Sequence, residues 1–237
     1  MHRFYIEDID NAFLTGDDYT HATRVLRLRH GDEIYLFDGR AEYRALISSC
    51  DKSSMELQIT EKLDFNSEPI CKLTLYQALP KADKYEYVLQ KGTELGISTF
   101  CFFTSARCVA KGTLNEDRMR RIIYESAKQS RRLSLPLLYT GLSFADLLSR
   151  LRSHTSTLVA WEEEKKLSLR TALKDLPHPI EDIAVIVGAE GGFSSEEANQ
   201  MQSCGARTVT LGPRILRTET AGPALAAMIL YEMGQME

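Results

Sequence analysis

Leu211-Gly-Pro-Arg-Ile-Leu-Arg-Thr-Glu-Thr-Ala221 decides how the C-terminal part of this chain is read. It separates a β-branched run, Thr208-Val-Thr-Leu211, from an apolar segment with helical spacing that continues to about Met233. Gly212-Pro213 ends the strand, and the helix opens a few residues later. A plain strand-to-helix connector can be shorter and is usually more polar. This one sets two arginines, a glutamate and two threonines around Ile215 and Leu216. Such a mixture of apolar surface and charge is what a small-molecule site needs. The helix beyond it carries Ala221, Leu225, Met228 and Ile229 at helical spacing, which reads as core.

Working outward, Val187-Gly-Ala-Glu-Gly-Gly-Phe-Ser-Ser-Glu-Glu197 has the same strand-to-helix setting. Ile183-Ala-Val-Ile-Val187 is continuously apolar, as a strand buried on both faces is. Ser194 and Glu197 have capping-box spacing. Gly188, Gly191 and Gly192 would let a ligand lie against backbone amides. The run is not a dinucleotide fingerprint, because Glu190 holds the second glycine's place, and no Lys-Ser/Thr follows to make a phosphate loop. A tight turn needing positive φ angles is the structural alternative. Since the Leu211–Ala221 stretch follows the next strand, both loops are expected at the carboxyl ends of neighbouring parallel strands, where the crevice of an α/β sheet opens. Glu190 and Glu219 would face a ligand there. Two carboxylates suit adenosine's polar edges or a cationic group and disfavour a phosphate-rich ligand.

The remaining elements form two groups. Up to about Asp64 the chain is mostly β, with strands at Arg3–Ile6, Glu33–Phe37, Glu42–Ile47 and Met55–Ile59 and one short helix at Asp18–Leu28. Several short strands with one helix suggest a small barrel. Asp64-Phe-Asn-Ser-Glu-Pro69 reads as a linker, giving domains 1–68 and 69–237. Beyond it strands and helices alternate, with strands at Lys72–Leu79, Thr99–Phe103, Thr157–Trp161, Ile183–Val187 and 207–211. Helices are expected at Lys84–Leu95, Glu116–Arg132, Phe144–Leu151, Leu169–Leu176, 195–204 and onward to Met233. That alternation makes an α/β domain with a largely parallel sheet. Trp161 with Glu162-Glu-Glu164 reads as a strand end and a solvated acidic turn.

The 237 residues are 43% hydrophobic and 26% charged, ordinary values for a globular chain. No apolar run approaches the ~20 residues needed to cross a bilayer, and the N-terminus lacks a signal peptide's apolar core, so a cytoplasmic protein is expected. The five cysteines are scattered, with no spacing for a metal or a disulfide framework. Net charge is −4, yet Lys81 to Arg132 holds 11 Lys and Arg against 6 Asp and Glu. Local patches, not totals, decide polyanion binding. On the helix at 116–132, Arg118, Arg121, Lys128 and Arg132 recur at three- and four-residue steps opposite Met119, Ile122 and Ile123. With Lys81, Lys84, Arg107 and Lys111 nearby in sequence, this stripe reads as a phosphate-backbone footprint; a solvated face is the plainer alternative. Arg24 and Arg27, with His21, Arg29 and His30, form a second basic cluster.

Taken in order, these segments resemble the bacterial 16S rRNA uridine-N3 methyltransferases of the SPOUT superfamily. The matching residues are His21-Ala-Thr-Arg-Val-Leu-Arg27, Lys81-Ala-Asp-Lys-Tyr-Glu86, Gln90-Lys-Gly-Thr-Glu-Leu-Gly96, Ser105-Ala-Arg-Cys108, Glu125-Ser-Ala-Lys-Gln129 with Arg132 and Pro136, Gly188-Ala-Glu-Gly-Gly-Phe193 and Leu211–Ala221. Each motif alone is weak; the ordered set spans the chain and is specific. Ala189 stands where the family usually has proline, and Ser105-Ala-Arg-Cys108 replaces the more usual Ser-Glu-Arg-Ser.

The resemblance implies a PUA-like β-barrel at the N-terminus and a trefoil-knotted α/β domain at the C-terminus. It implies S-adenosylmethionine as cofactor, no metal, a homodimer, and uridine 1498 of small-subunit rRNA as target. Leu79, Val187, Gly188, Glu190, Gly191, Gly192, Leu211, Gly212, Ile215, Leu216, Thr220 and Ala221 are then the expected cofactor contacts. Arg24, Arg27, Lys81, Lys84, Arg107, Arg118, Arg121, Lys128 and Arg132 are the expected RNA contacts. Uracil N3 carries a proton and is a poor nucleophile until it leaves, and it lies on the Watson–Crick edge, so the base must be unpaired. Arg217 is expected beside the uracil oxygens, with Glu219 and Glu190 as orienting groups or base, Glu219 ahead of Glu190 as base; an Arg217–Glu219 ion pair fixing the loop and Glu190 as a turn-stabilising carboxylate are the structural alternatives. Two rival functions are a knotted enzyme methylating tRNA ribose and a non-enzymatic RNA-binding assembly factor.

Overall fold

The computed structural model describes residues 2–109 and 114–236, so Lys111 of the basic segment lies outside the described residues. The chain forms two compact units, Met1–Glu68 with Ala127–Leu135, and Pro69–Ser126 with Pro136–Glu237.

In the first unit β1 (Arg3–Tyr5), β2 (Phe13–Thr15), β3 (Glu33–Phe37), β4 (Glu42–Cys50) and β5 (Ser54–Leu63) form one sheet in the order β1-β3-β4-β5-β2. Alternation places Ile34, Leu36, Ala45, Ile47, Met55 and Leu57 on one face, where they bury Phe4, Leu14 and Ala22. The single helix expected over 18–28 is instead α1 (Gly16–Thr20) followed by a wider π-type turn, His21–Val25. Thr20 and Thr23 hydroxyls donate back to the Gly16 and Tyr19 carbonyls at 3.0 and 2.8 Å, the contacts by which threonine competes with regular helix. Arg27 then turns away with φ of 59°. Strand β2 escaped the sequence reading because three residues are too few to show alternation.

This unit also holds a buried ionic network. Glu42, fully buried, accepts from Arg3 Nε at 2.6 Å and from Arg131 at 2.7 Å. Arg3 further donates to the carbonyls of Ala127, Lys128 and Arg132. Glu68 accepts from Arg132 Nη2 at 2.8 Å, from the Leu133 and Ser134 amides, and from the Ser134 hydroxyl.

The second unit alternates β6 (Lys72–Ala78), α2 (Lys84–Glu94), β7 (Thr99–Phe103), α3 (Glu116–Gln129), β8 (Leu137–Leu142), α4 (Phe144–Leu151) and β9 (Thr157–Ala160). It continues with α5 (Leu169–Lys174), β10 (Asp182–Val187), α6 (Ser195–Ser203), β11 (Arg207–Val209) and α7 (Thr218–Glu232). The strands form a parallel sheet in the order β11-β9-β10-β6-β7-β8. Both faces are covered. Leu73, Leu75, Ile183 and Val185 meet α2, α5 and α7 on one side, while Tyr76, Ala78, Ala184 and Ile186 meet α4 and α6 on the other. The mixed α/β architecture expected from the alternation is the one observed.

Two expectations are corrected and one strand is added. Helix α3 stops at Gln129, and Arg132 lies beyond it, only 2% exposed. Edge strand β8 had no counterpart among the expected elements, since its exposed Leu137 and Tyr139 obscure a buried face. Strands β10 and β11 are not neighbours: β9 lies between them. No helix among the described residues is long and apolar enough to cross a membrane.

Candidate functional site

The ladder registers bring four strand ends to one edge of the second unit's sheet. Gln77 pairs with Val187, Val187 with Ala160, and Ala160 with Val209. The segments leaving these ends enclose a crevice of about 760 Å³, well inside the range of small-molecule sites.

The glycine turn forms one wall. Its positions are dictated by close approaches: a Cβ on Gly191 would come within 2.9 Å of Arg107 Cβ. On Gly192, which already has φ of 61°, a Cβ would lie on the Glu162 carboxylate. The Ser194–Glu197 capping box forms as the spacing predicts, and the other Glu197 oxygen accepts from the Ala106 amide at 2.8 Å. Arg107 donates to the Gly191 and Phe193 carbonyls, both at 3.1 Å. The residue expected on RNA is thus a clamp on the turn.

Leu211–Leu216 forms the facing wall, with Gly212 at φ of 103° and Ile215 87% exposed. Arg217 sits at the N-cap of α7 with its side chain 82% exposed. Behind it the buried Thr218 hydroxyl donates to the Gly188 carbonyl at 2.6 Å and accepts from Gln77 Nε2 at 2.9 Å. Gln77 and Thr218 therefore tie the two walls together. Neither was expected, although a glutamine closing the apolar run of β6 was a readable signal.

A third wall was also missed. With β9 between β10 and β11, its loop enters the crevice through Trp161, Glu162 and Lys165. The turn read as solvated is a site wall, because strand order, which local pattern does not encode, puts it there.

Charge converges at the rim. Lys84 Nζ lies 2.8 Å from Glu190 Oε1 and 3.3 Å from Glu219 Oε2, and the Lys81 amide donates to Glu190 Oε1 at 3.1 Å. Desolvation is the largest influence on Glu190 and pushes its pKa up. The Lys84 hydrogen bond and nearby backbone amides outweigh it and hold the group below the ordinary carboxylate value. Lys84 is held above its ordinary value, chiefly by its hydrogen bond to Glu190. Glu190 and Lys84 are therefore both charged at neutral pH. Arg217 Nη1 lies 4.0 Å from Glu219 Oε1, a loose pair.

Of the expected cofactor residues, Val187, Gly188, Glu190, Gly191, Gly192, Leu211, Gly212, Ile215, Leu216 and Ala221 line the crevice. Leu79 is instead buried in the core, its amide bonded to the Phe103 carbonyl. Thr220 is exposed on the first turn of α7.

The basic stripe is not a continuous exposed face. Arg118 makes a two-point contact with Glu86 at 2.6 and 3.0 Å. Lys128 lies over the Phe4 ring, 4.8 Å from its centroid, with Asp18 at 3.8 Å. Arg132 is buried against Glu68. Arg24, Arg27, Lys81 and Arg121 are exposed. Spacing alone made these residues one stripe; burial divides them.

A family model described as an RNA methyltransferase domain matches residues 66–230, and one described as an RNA methyltransferase PUA domain matches residues 14–60. The chain is 32% identical to ribosomal RNA small subunit methyltransferase E of Bacillus subtilis (strain 168), covering 96% of this chain and 92% of that one. It is 28% identical to the same-named protein of Mesomycoplasma hyopneumoniae (strain 232), over 93% and 95%. Among solved structures, that of ribosomal RNA small subunit methyltransferase E from Neisseria gonorrhoeae bound to S-adenosyl methionine is 29% identical. It superposes with a TM-score of 0.86 over 98% of both chains. A putative methyltransferase from Legionella pneumophila, in complex with the same cofactor, is 28% identical with a TM-score of 0.84 over 97% of both.

Proposed function

The chain belongs to the RNA methyltransferase family that includes ribosomal RNA small subunit methyltransferase E, and from that premise we propose that it methylates N3 of uridine 1498 in 16S rRNA, in the cytoplasm, using S-adenosylmethionine. The observation that carries this reading is the crevice, in which a glycine turn, an apolar wall and a charged rim meet at the carboxyl ends of parallel strands.

The residues present fit the cofactor. Val187, Leu211 and Leu216 offer apolar surface, the glycine turn keeps side chains away from the wall, and carboxylates suit a cationic ligand. Trp161 Nε1 is shielded from solvent and without a hydrogen-bond partner among the described residues, so a donor stands ready on the β9 wall. When bound, S-adenosylmethionine supplies an electrophilic methyl carbon on a positively charged sulfur.

The chain's own residues have the remaining work. Arg217, exposed at the crevice mouth, stabilises negative charge on the uracil oxygens as N3 loses its proton. Glu219 orients that edge or accepts the proton. Glu190, held by Lys84 and the Lys81 amide, supports the turn. Exposed Arg24 and Arg27, and separately Lys81 and Arg121, contact RNA phosphates.

The segment Ala160–Ala221 is proposed as the trefoil knot, on the support of a strand order in which β11 returns beyond β9. The first unit's sheet is proposed as a PUA-like barrel around its single core. A homodimer is proposed because α7 is apolar nearly all round and leaves Met228 and Tyr231 exposed, Tyr231 by 70%; light scattering should give twice the chain mass.

The decisive experiment compares Arg217→Ala with the wild type by calorimetry and by tritium transfer to 16S rRNA and to tRNA. Methyl transfer should fall far more than cofactor affinity, and 16S rRNA should be the acceptor. Equal losses in both measurements would remove Arg217 from the reaction, and labelling of tRNA alone would replace the substrate.

A further inference from the structure

The crevice carboxylates are not equivalent. Glu190 and Glu219 share the Lys84 ammonium, and Glu219 also has Arg217 at 4.0 Å. Among the described residues the Glu162 carboxylate has neither ion pair nor hydrogen bond. Lys165 donates to the Glu162 backbone carbonyl at 2.5 Å.

The Glu162 loop is built to hold this position. Glu164 accepts from the Lys166 and Leu167 amides at 2.7 and 3.1 Å and from the Thr208 hydroxyl at 2.8 Å. The Trp161 amide donates to the Val209 carbonyl at 3.2 Å, and the Glu164 amide to the Trp161 carbonyl at the same distance. Together these fasten the turn to β11. Across the crevice, Gly192 leaves the space that the Glu162 carboxylate occupies: a Cβ there would come within 2.0 Å of Oε1. Glu162 is exposed and lines the crevice, so its unpaired carboxylate is available to a cationic group of a ligand that enters there, in a charge-assisted hydrogen bond.

We propose that Glu162 is the carboxylate that recognises a cationic centre of the ligand in this crevice. Resting on the methyltransferase reading, that centre is the α-ammonium or the sulfonium of S-adenosylmethionine. The rim carboxylates already share the Lys84 ammonium, whereas Glu162 has no such partner among the described residues. Glu162 is a recognition residue, and its place on the β9 loop gives that wall a function.

Calorimetry on the full chain and on Glu162→Gln tests this with three ligands. S-Adenosylmethionine carries both cations, S-adenosylhomocysteine only the ammonium, and 5′-methylthioadenosine neither. The substitution should weaken S-adenosylmethionine binding by about tenfold or more, the size of one charged hydrogen bond, and leave methylthioadenosine within twofold. A parallel loss for S-adenosylhomocysteine assigns the ammonium; an unchanged value assigns the sulfonium. If all three ligands weaken equally, or none does, the proposal is overturned while the methyltransferase reading stands. A wild-type chain that binds none of them overturns both. Unchanged thermal unfolding of the variant keeps the comparison one of binding.

Discussion

The two units each gather charged side chains, and they do so for opposite ends. In the first, Glu42 is sealed from solvent between Arg3 and Arg131, and Arg3 donates to three carbonyls besides. In the second, Lys84, Glu190 and Glu219 meet at a crevice rim where water and ligand can reach them. A buried ion taken out of water is tolerable only when every partner is present, so losing one partner is costly. Half-exposed charges are screened and add little to stability, but they set the field felt by a ligand. The same chemistry thus serves architecture in one place and recognition in the other.

The comparison breaks first at Glu42. Replacing it by glutamine leaves the buried Arg3 guanidinium facing a neutral amide. Urea unfolding should show a loss of about 3–5 kcal/mol. A loss below about 1 kcal/mol would place Glu42 with the rim charges and dissolve the distinction.

Glu68 sharpens it through pH. Desolvation is the largest influence on its pKa and raises it, but Arg132 and Ser134 outweigh this and hold the group below its ordinary 4.5. A carboxylate depressed on folding contributes stability that is complete above its unfolded value and disappears as pH falls through the folded one. Glu68→Gln should therefore cost about 2 kcal/mol at pH 7, and the gap from wild type should close as pH drops below 4.5. A gap independent of pH would mean that shape, not charge, holds this corner.

Much of this was legible beforehand. Ile183–Val187 announced a buried strand by its unbroken apolar run, and Gly-Pro at 212–213 and the glycines at 188–192 marked both site loops. What stayed hidden is long-range. Lys84 reaches Glu190 across 106 residues, and nothing local distinguishes it from Lys81. The insertion of β9 between β10 and β11 is a property of topology, so Glu162 read as a solvated turn. Arg132 read as one more exposed cation because a charged residue past a helix end usually is one. Gln77 was readable and overlooked: a glutamine in a buried strand calls for a partner, and Thr218 is that partner.

Lys84 tests the other half of the comparison. Lys84→Met should leave the unfolding midpoint in place and reduce methyl transfer about tenfold. With the ammonium gone, Glu190 loses its strongest pKa-lowering partner and keeps its backbone amides, so its pKa rises and the acid limb of cofactor binding moves to higher pH. Lys84→Arg should restore both rate and profile. An acid limb that stays put in Lys84→Met would show that the rim carboxylates do not depend on this lysine.

The smallest effect separates a third class of charge, exposed and held by neither cluster. Arg121 is exposed on α3, while Lys128 on the same helix lies over Phe4 beside Asp18. If phosphate contact follows exposure and not helical spacing, the two should respond differently to reversal. Arg121→Glu should weaken 16S rRNA binding several-fold and reduce the slope of log affinity against log salt by about 1, since each neutralised phosphate releases roughly one counterion. Lys128→Glu should lower stability, through lost packing on Phe4 and repulsion from Asp18, and leave that slope unchanged. Identical slopes for the two variants would restore the continuous stripe that spacing suggested. Unequal slopes make burial the rule by which this chain assigns its basic residues, with RNA left to those that the fold does not use.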